Sequence, residues 1–490
     1  MPPGLSMADF SYLLPEIVLT LGALGLLVLD VLLPRERDGA RAWVALASLA
    51  ATGLALGTVA GAHTTIARGL LAVDGFALFF KVIFLIAAAF TILLSRKYLE
   101  VEQADAGAYY FLVLCATLGM MVMAAGIDLI TLFIGLETMA VSFYILTGFL
   151  KPDRRSNEAA IKYFVLGAFS LGILLYGMSV LYALSGTTKL RELALALASS
   201  DQHVAMSLGV LLVACGMAFK IAAVPFHMWA PDVYEGAPTP IAAFLSVGSK
   251  AASFAMLLRI FIEGMPSLAP QWTQVFYVLS VLTMVAGNIA ALTQTNLKRM
   301  LAYSSIAHAG YLLIGLVAAT PRGVTATLLY LLIYAFMQMG AFAVVTLMRR
   351  HDVTGDELKD LSGLYFRNPL AAFAMLVFML SLGGIPPTAG FMGKLWIFGA
   401  AIEAGYVWLA VIGVLNSAIS LYYYVRVVVF MWIKEEVSGS AIEPGPAMTV
   451  ALGVALAATI LIGIYPAAIF DFAESSARML GVAAPVLTAR

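Results

Sequence analysis

Apolar residues run along this chain in long stretches separated by short polar segments. A helix needs about 20 apolar residues to cross a bilayer. By that rule the pattern predicts about fourteen crossings, at 12–33, 42–62, 75–95, 109–126, 128–150, 158–184, 204–228, 240–262, 272–293, 300–318, 322–348, 369–402, 406–432 and 446–468. The expected fold class is an all-α polytopic membrane protein. Little lies outside these spans, so no sizeable soluble domain is expected. The longest polar stretch, 349–368, reads as a loop with a short surface helix. Residues 1–11 carry no Lys or Arg, and the apolar run that follows is too long for a secretory h-region. It reads as a first membrane helix, not a signal peptide.

Two stretches break the pattern with proline: GMAFKIAAVPFHMWAPDVYEGAPTP at 216–240 and LSLGGIPPTAGFMGKLWIF at 380–398. Proline inside a helix removes a backbone donor and clashes with the carbonyl one turn back. In lipid, the freed backbone groups must face protein or water. Interrupted helices at matching positions of two halves point to a transport site. Spans four to eight and nine to thirteen form two blocks of five, and the broken span is fourth in each. An odd number of spans inverts the second block relative to the first. The expected organisation is therefore 1–108 (first three helices), 109–262 (first repeat), 272–433 (inverted second repeat) and 434–490 (last helix and tail).

Composition agrees with a membrane protein. Hydrophobic residues make up 62% of the 490, charged residues 11%, and mean hydropathy is +0.97. The 28 basic residues balance the 28 acidic ones, so nothing suggests a nucleic-acid partner. Under alternation, fifteen basic residues fall in one set of loops: Arg35, Arg37, Arg41, Arg96, Lys97, Lys151, Arg154, Arg155, Lys298, Arg299, Arg349, Arg350, Lys359, Arg367 and Lys434. Six fall in the other: Arg68, Lys189, Arg191, Arg322, Arg478 and Arg490. The positive-inside rule puts the richer side in the cytoplasm and both termini outside. Within spans, Lys81 and Arg259 lie near outer ends and are expected to snorkel.

Lys162, Lys220, Lys250, Lys394 and Glu137 are harder to place. An ionisable residue at the centre of a membrane helix costs roughly 2.5–3.5 kcal/mol on insertion scales and marks an ion or proton path by default. A structural ion pair is the bland alternative, but one glutamate cannot neutralise four lysines. Burial disfavours the charged form of a lysine, which lets the amine release and regain a proton. Glu137 is expected to pair with a lysine, most naturally Lys220 across helices. Glu158 and Lys162 stand four apart with the acid first, a favourable helical spacing. Lys250 is surrounded by Ser246, Gly248, Ser249, Ala251, Ala252 and Ser253, small neighbours that permit close packing or water. Lys220 precedes Pro225, and Lys394 follows Pro386 and Pro387.

His308 lies inside the tenth span and reads as a relay between Lys250 and Lys394. His227, after the first break, is as readily a cap as a proton group. Tyr303, Tyr422, Tyr423 and Tyr424 are candidates to hold water. Asp232 and Glu235, in a segment with no basic residue, are candidates to gather protons at the surface. Cys115 and Cys215 read as buried packing thiols, and no Cys/His cluster has metal spacing. No phosphate loop, dinucleotide fingerprint, haem pair or nucleophile motif is present. The driving force therefore belongs to an ion gradient or to a redox partner elsewhere.

These segments resemble the proton-pumping antiporter-like subunits of respiratory complex I. The likeness is carried by GLETMAVSFYIL at 135–146, AFKIAAVPFHMWAPDVYEGAPTPIAAFLSVGSKAA at 218–252, NLKRMLAYSSIAHAGYLL at 296–313 and LSLGGIPPTAGFMGK at 380–394, and it covers nearly the whole chain. It implies fourteen helices with two inverted five-helix bundles. It also implies proton-transfer roles for Glu137, Lys162, Lys220, Lys250, His308 and Lys394, and neighbours that are other membrane subunits. NADH, FMN, iron–sulfur clusters and quinone would bind those other subunits, with no cofactor or metal in this chain. Lysine rather than glutamate at 394, and only about twenty residues after the last span, set it apart from two of the subunit types. Related sodium/proton antiporter and membrane hydrogenase subunits share much of the pattern. A lysine-rich axis disfavours sodium, which prefers clustered oxygen ligands. The remaining alternative is a purely structural membrane subunit.

Overall fold

The structure, a computed structural model, describes residues 7–32, 38–349, 355–434 and 442–480. Of the basic residues counted above, Arg35, Arg37, Arg350 and Arg490 lie outside the described residues, as do 350–354 of the polar loop and the tail after 480. The described chain is almost wholly helical. Its crossing helices are α1 (Leu14–Leu32), α2 (Asp38–Thr58), α3 (Gly75–Glu102), α4 (Ala106–Ala125), α5 (Leu129–Thr147), α6 (Arg154–Ser185), α7 (His203–Lys220) and α8 (Thr239–Glu263). They continue with α9 (Pro266–Leu292), α10 (Leu297–Ala318), α11 (Pro321–Met348), α12 (Pro369–Gly383), α13 (Ala389–Glu403), α14 (Val407–Trp432) and α15 (Pro446–Ile464). Thirteen of them are long and apolar enough to span alone. The other two, α12 and α13, have 15 residues each, which reaches only about 22 Å of a roughly 30 Å core. They are two halves of one crossing, so fourteen crossings stand as the hydropathy pattern predicts.

Caps set where helices begin. Asp74, Asp105, Asp128 and Asp153 each accept a backbone N–H in the first turn of α3, α4, α5 and α6. Each such cap is worth about 1 kcal/mol. Among the described residues, the only paired strands form a short antiparallel ribbon, Thr64–Ile66 against Leu71–Val73, between α2 and α3. The polar loop holds a 3-10 turn at Leu358–Leu361 and one helical turn at Leu364–Arg367, both anchored by buried leucines.

Several helix pairs approach with glycine at the seam, two of them at matching places in the expected blocks. A Cβ on Gly119 of α4 would meet Met139 N of α5 at 2.5 Å, and one on Gly135 of α5 would meet Met123 N of α4 at 2.9 Å. In α9 and α10 the same role falls to Gly287, 2.8 Å from Ala307 N, and Gly310, 2.7 Å from Met284 N. Small residues let backbones touch where apolar burial gives no drive between helices. At the centre stand α8, wholly buried, with α10 and α11 almost wholly so, whereas α6 is exposed over more than half of its span and faces outward.

Several sequence expectations are corrected here. Lys81 and Arg259 do not snorkel. Lys81 is buried and pairs with Glu16 at 2.5 Å. Arg259 is buried and donates to Asp74 (2.8 Å) and Glu263 (3.1 Å), tying α8 to the cap of α3. Both meet acids from neighbouring elements before they can reach water, and a buried charge with such partners stays put. Cys115 and Cys215 are free and half-buried rather than buried, because α4 and α7 each leave one face outside the core.

Candidate functional site

Both breaks are built so that freed backbone groups find partners. In the first, α7 ends at Lys220, and Ala222 takes a positive φ of 56°. Trp229 Nε1 donates to Phe219 O (3.0 Å), and Val224 N donates to Thr283 Oγ1 (2.9 Å). The chain resumes as the short helix Trp229–Gly236, and Trp229 stacks on Tyr163 with ring centroids 4.7 Å apart. In the second, Gly384 has φ +86° and closes α12 by donating its N–H to Leu380 O and Ser381 O. Glycine is required twice over: the left-handed backbone favours it, and a Cβ would lie 2.7 Å from Lys394 Cδ.

Lys394, in the first turns of α13, reaches back across this break. Its Nζ donates to Leu382 O (3.0 Å), Gly383 O (2.9 Å) and Ser417 Oγ of α14 (2.7 Å). Those carbonyls end α12, where the helix dipole is negative, so the ammonium satisfies both orphan acceptors and the dipole. The Tyr311 ring lies 5.0 Å from Nζ.

Lys220 is also buried, yet it holds no carbonyl. Its one hydrogen-bond contact is Tyr144 Oη at 3.5 Å, the outer limit of such a bond. The expected Glu137–Lys220 ion pair is not formed, and Glu137 Oε1 is buried without a protein partner. Glu137 and Tyr144 stand seven apart on one face of α5, about two turns, and the tyrosine is the one that meets the lysine. Tyr144 Oη is seated against Gly167 of α6, where a Cβ would come within 2.3 Å. The carboxylate and ammonium still act on each other electrostatically across this gap.

Lys250, buried in α8, begins a normal helical stretch just after a π-helical turn at Leu245–Ser249. Wider turns of this kind are rare and concentrate at functional sites. Its own serines are spent locally, Ser246 on Ala243 O (2.7 Å) and Ser253 on Ser249 O (2.8 Å). The ammonium instead donates to Ser305 of α10, at Oγ (2.5 Å) and at the carbonyl. The Tyr334 ring lies 5.2 Å away.

His308 touches neither lysine directly. Its Nδ1 meets Tyr330 Oη of α11 at 2.7 Å, and its Nε2 meets Tyr424 Oη of α14 at 3.2 Å. Tyr424 Oη also meets Ser304 Oγ at 2.6 Å. Beside this string, Asn288 of α9 bonds Tyr423 Oη (2.9 Å) and Tyr311 Oη (3.2 Å). Buried polar clusters therefore line up between the two lysines: Lys250 with Ser305, then His308 with Tyr330, Tyr424 and Ser304, then Asn288 with Tyr423 and with Tyr311, whose ring lies beneath Lys394. Of the tyrosines singled out from sequence, Tyr423 and Tyr424 join these clusters, Tyr422 is exposed, and Tyr303 is half-buried outside them.

Lys162 does not belong with the buried lysines. Its side chain is 41% exposed and pairs with Glu158 and Asp232, each at 2.7 Å. Asp232 also takes Arg299 at 2.7 Å, and Arg299 reaches Glu235 at 2.9 Å. Asp232 and Glu235 lack basic neighbours in sequence but not in space. The cluster lines a pocket of about 260 Å³ open to one end of the bundle. Burial pushes the Asp232 carboxyl up, but hydrogen bonds from Lys162 and Arg299 and their charges outweigh it and hold it below the usual range. His227 is half-buried in the first break.

Sequence reasoning missed Lys298, buried in the first turn of α10 and donating to Ala237 O at 2.8 Å. Its place in the sequence reads as that of a loop cation, and no local signal distinguishes it from Arg299 beside it. Tyr330, Tyr334 and Ser417 carry no mark in the sequence either, since each matters only through what another helix brings to it. Among the described residues, no group of three or more His, Cys, Asp or Glu is placed to hold a metal ion.

Residues 126–420 match the family model described as "NADH:quinone oxidoreductase/Mrp antiporter, TM". NADH-quinone oxidoreductase subunit N 1 of Koribacter versatilis is 47% identical over 484 residues, covering 95% of this chain and 95% of that protein. NADH-quinone oxidoreductase subunit N of Trichlorobacter lovleyi is 44% identical over 477 residues, covering 96% and 98%. Among solved structures, a chain of respiratory complex I from Thermus thermophilus with bound aureothin superposes with a TM-score of 0.81 at 32% identity, covering 94% of this chain and all of that one.

Proposed function

Because the chain belongs to the family of NADH-quinone oxidoreductase subunit N, we propose that it moves protons across a membrane, driven by quinone reduction in other subunits of the same complex. The observation that carries this reading is the row of buried polar clusters between the two lysines: Lys250 with Ser305, His308 with Tyr330, Tyr424 and Ser304, and Lys394 with Ser417. Each member of that row can hold or pass a proton. Lys220 is the inner receiver of the first block, Lys250 the centre and Lys394 the outlet. Glu137 acts on Lys220 at a distance, so its charge biases the protonation of Lys220 and couples this chain to a neighbour. Lys162 belongs to the surface cluster with Asp232 and gathers protons there rather than passing them within the membrane.

In this reading NADH, FMN, the iron–sulfur clusters and quinone are held by other subunits. The chain sits in the inner membrane of a bacterium with both termini outward, as the basic-residue count suggests. The two five-helix blocks, 109–262 and 272–433, are inverted copies. The matching glycine seams of α4 with α5 and α9 with α10 support this, as does the placing of each break in the fourth helix.

The test uses the intact complex sealed into vesicles. Quinone reduction is expected to drive charge movement that persists without sodium and collapses with a protonophore. Charge movement that requires sodium and survives the protonophore would overturn the reading in favour of a sodium/proton antiporter.

A further inference from the structure

One buried polar residue has no place in those clusters. Gln338 of α11 is fully buried, and neither its amide nitrogen nor its amide oxygen has a protein partner. It is the only polar side chain in FMQMGAFAVV (336–345). The helix is held firmly there, since a Cβ on Gly340 would lie 2.3 Å from the Phe378 ring of α12. A buried amide is normally hydrogen-bonded, and one that protein does not satisfy calls for water.

Its position gives that water a use. Tyr330, Tyr334 and Gln338 are spaced by four, so they form one stripe along α11. Tyr330 bonds His308. The Tyr334 ring lies beneath Lys250 Nζ and beside the His308 ring at 5.1 Å. The Tyr334 hydroxyl sits beside Ser305 without a well-formed hydrogen bond. Gln338 is one turn beyond Tyr334, about 6 Å along the axis, towards the end where Arg349 meets Glu102 and Lys298 meets Ala237. The π-helical turn that delivers Lys250 packs on the same helix.

We propose that Gln338 is a positioning residue that holds internal water against Lys250 from the Lys298 end, giving that lysine a proton supply separate from Lys220. The amide accepts a hydrogen bond from one water and donates to another. A protonated water in this file gives its proton to the neutral Lys250 amine. One O–H bond breaks, one N–H bond forms, the positive charge passes to Nζ, and a neutral water remains. The inference rests on the proton-moving reading above, but its first test does not.

That test is a high-resolution map of the wild-type complex. Ordered water hydrogen-bonded to the Gln338 amide on the Lys250 side is expected. An amide satisfied only by protein, in a dry surround, overturns the proposal. The second test is Gln338→Met, which keeps the volume and removes both hydrogen-bonding ends, beside Gln338→Glu, which keeps a water-binding group. In assembled complexes, Gln338→Met is expected to lose most proton pumping and Gln338→Glu to retain it. Wild-type pumping in Gln338→Met overturns the proposal even where water is seen. If Gln338→Met does not assemble, the wild-type map alone decides.

Discussion

The two broken helices carry one lysine each, and the lysines are held in opposite ways. Lys394 is clamped by two carbonyls and a serine hydroxyl at 2.7–3.0 Å. Lys220 has a single contact at 3.5 Å and an acid that acts on it without touching it. Proline interrupts both helices, but only the second break aims orphan carbonyls at its lysine. A clamped ammonium is a resting place for charge. A loosely held one responds to whatever happens to Glu137. The difference suits an outlet at one end of the path and a coupled receiver at the other.

The largest expected effect separates the lysines by stability. Lys394→Met leaves Leu382 O without its lysine donor, whereas Gly383 O keeps the Ser417 hydroxyl at 3.1 Å, so the loss is roughly 1–3 kcal/mol for the carbonyl left buried and unpaired. Lys220→Met removes one weak bond together with the desolvation of a buried amine, and is expected to be near neutral. Thermal unfolding of the assembled complexes compares them, and equal losses would erase the distinction.

Next come the two left-handed residues. Gly384→Ala strains the backbone by roughly 1–2 kcal/mol and pushes on Lys394, so both stability and pumping fall. Ala222→Gly, at the matching break, relieves its positive φ and shifts stability by no more than about 1 kcal/mol, in either direction. The same unfolding and pumping assays read both.

Tyr144→Phe probes the loose side. Loss of the hydroxyl costs about 0.5–1.5 kcal/mol at most, but it removes the group between Glu137 and Lys220. The pH profile of pumping is expected to shift while assembly is unchanged. An unaltered profile would mean that Tyr144 takes no part in coupling.

The smallest effect concerns the surface cluster. The Asp232 carboxyl titrates lower folded than unfolded, so its contribution is fully present above its ordinary value of 3.8 and is lost as pH falls through the lower folded value. The pair is partly exposed and screened, so the contribution is small. Hydrogen-exchange protection in Trp229–Gly236, taken relative to the intrinsic rate at each pH, is expected to stay flat down to about pH 4 and to fall only in stronger acid. A fall near neutral pH would contradict the assignment.

Much of this was legible in the sequence. Hydropathy located the crossings, because lipid forces every backbone group into helix and every span to a similar length. Proline located the breaks. What was hidden depends on contacts between helices. Nothing near Lys162 in sequence shows that Asp232, 70 residues away, draws it into a surface pocket. Nothing near Glu137 shows that Tyr144 would take its lysine. Lys298 and Arg299 are neighbours, yet helical rotation buries one amine and leaves the other guanidinium half-exposed.

The central claim is that Lys250 joins the two halves of a proton path. Lys250→Ala in the fully assembled complex, with quinone reduction and proton pumping measured on the same vesicles, tests it most directly. The expected result is intact assembly with pumping lost. Undiminished pumping in a complex that assembles normally would contradict the account and leave this lysine a structural residue.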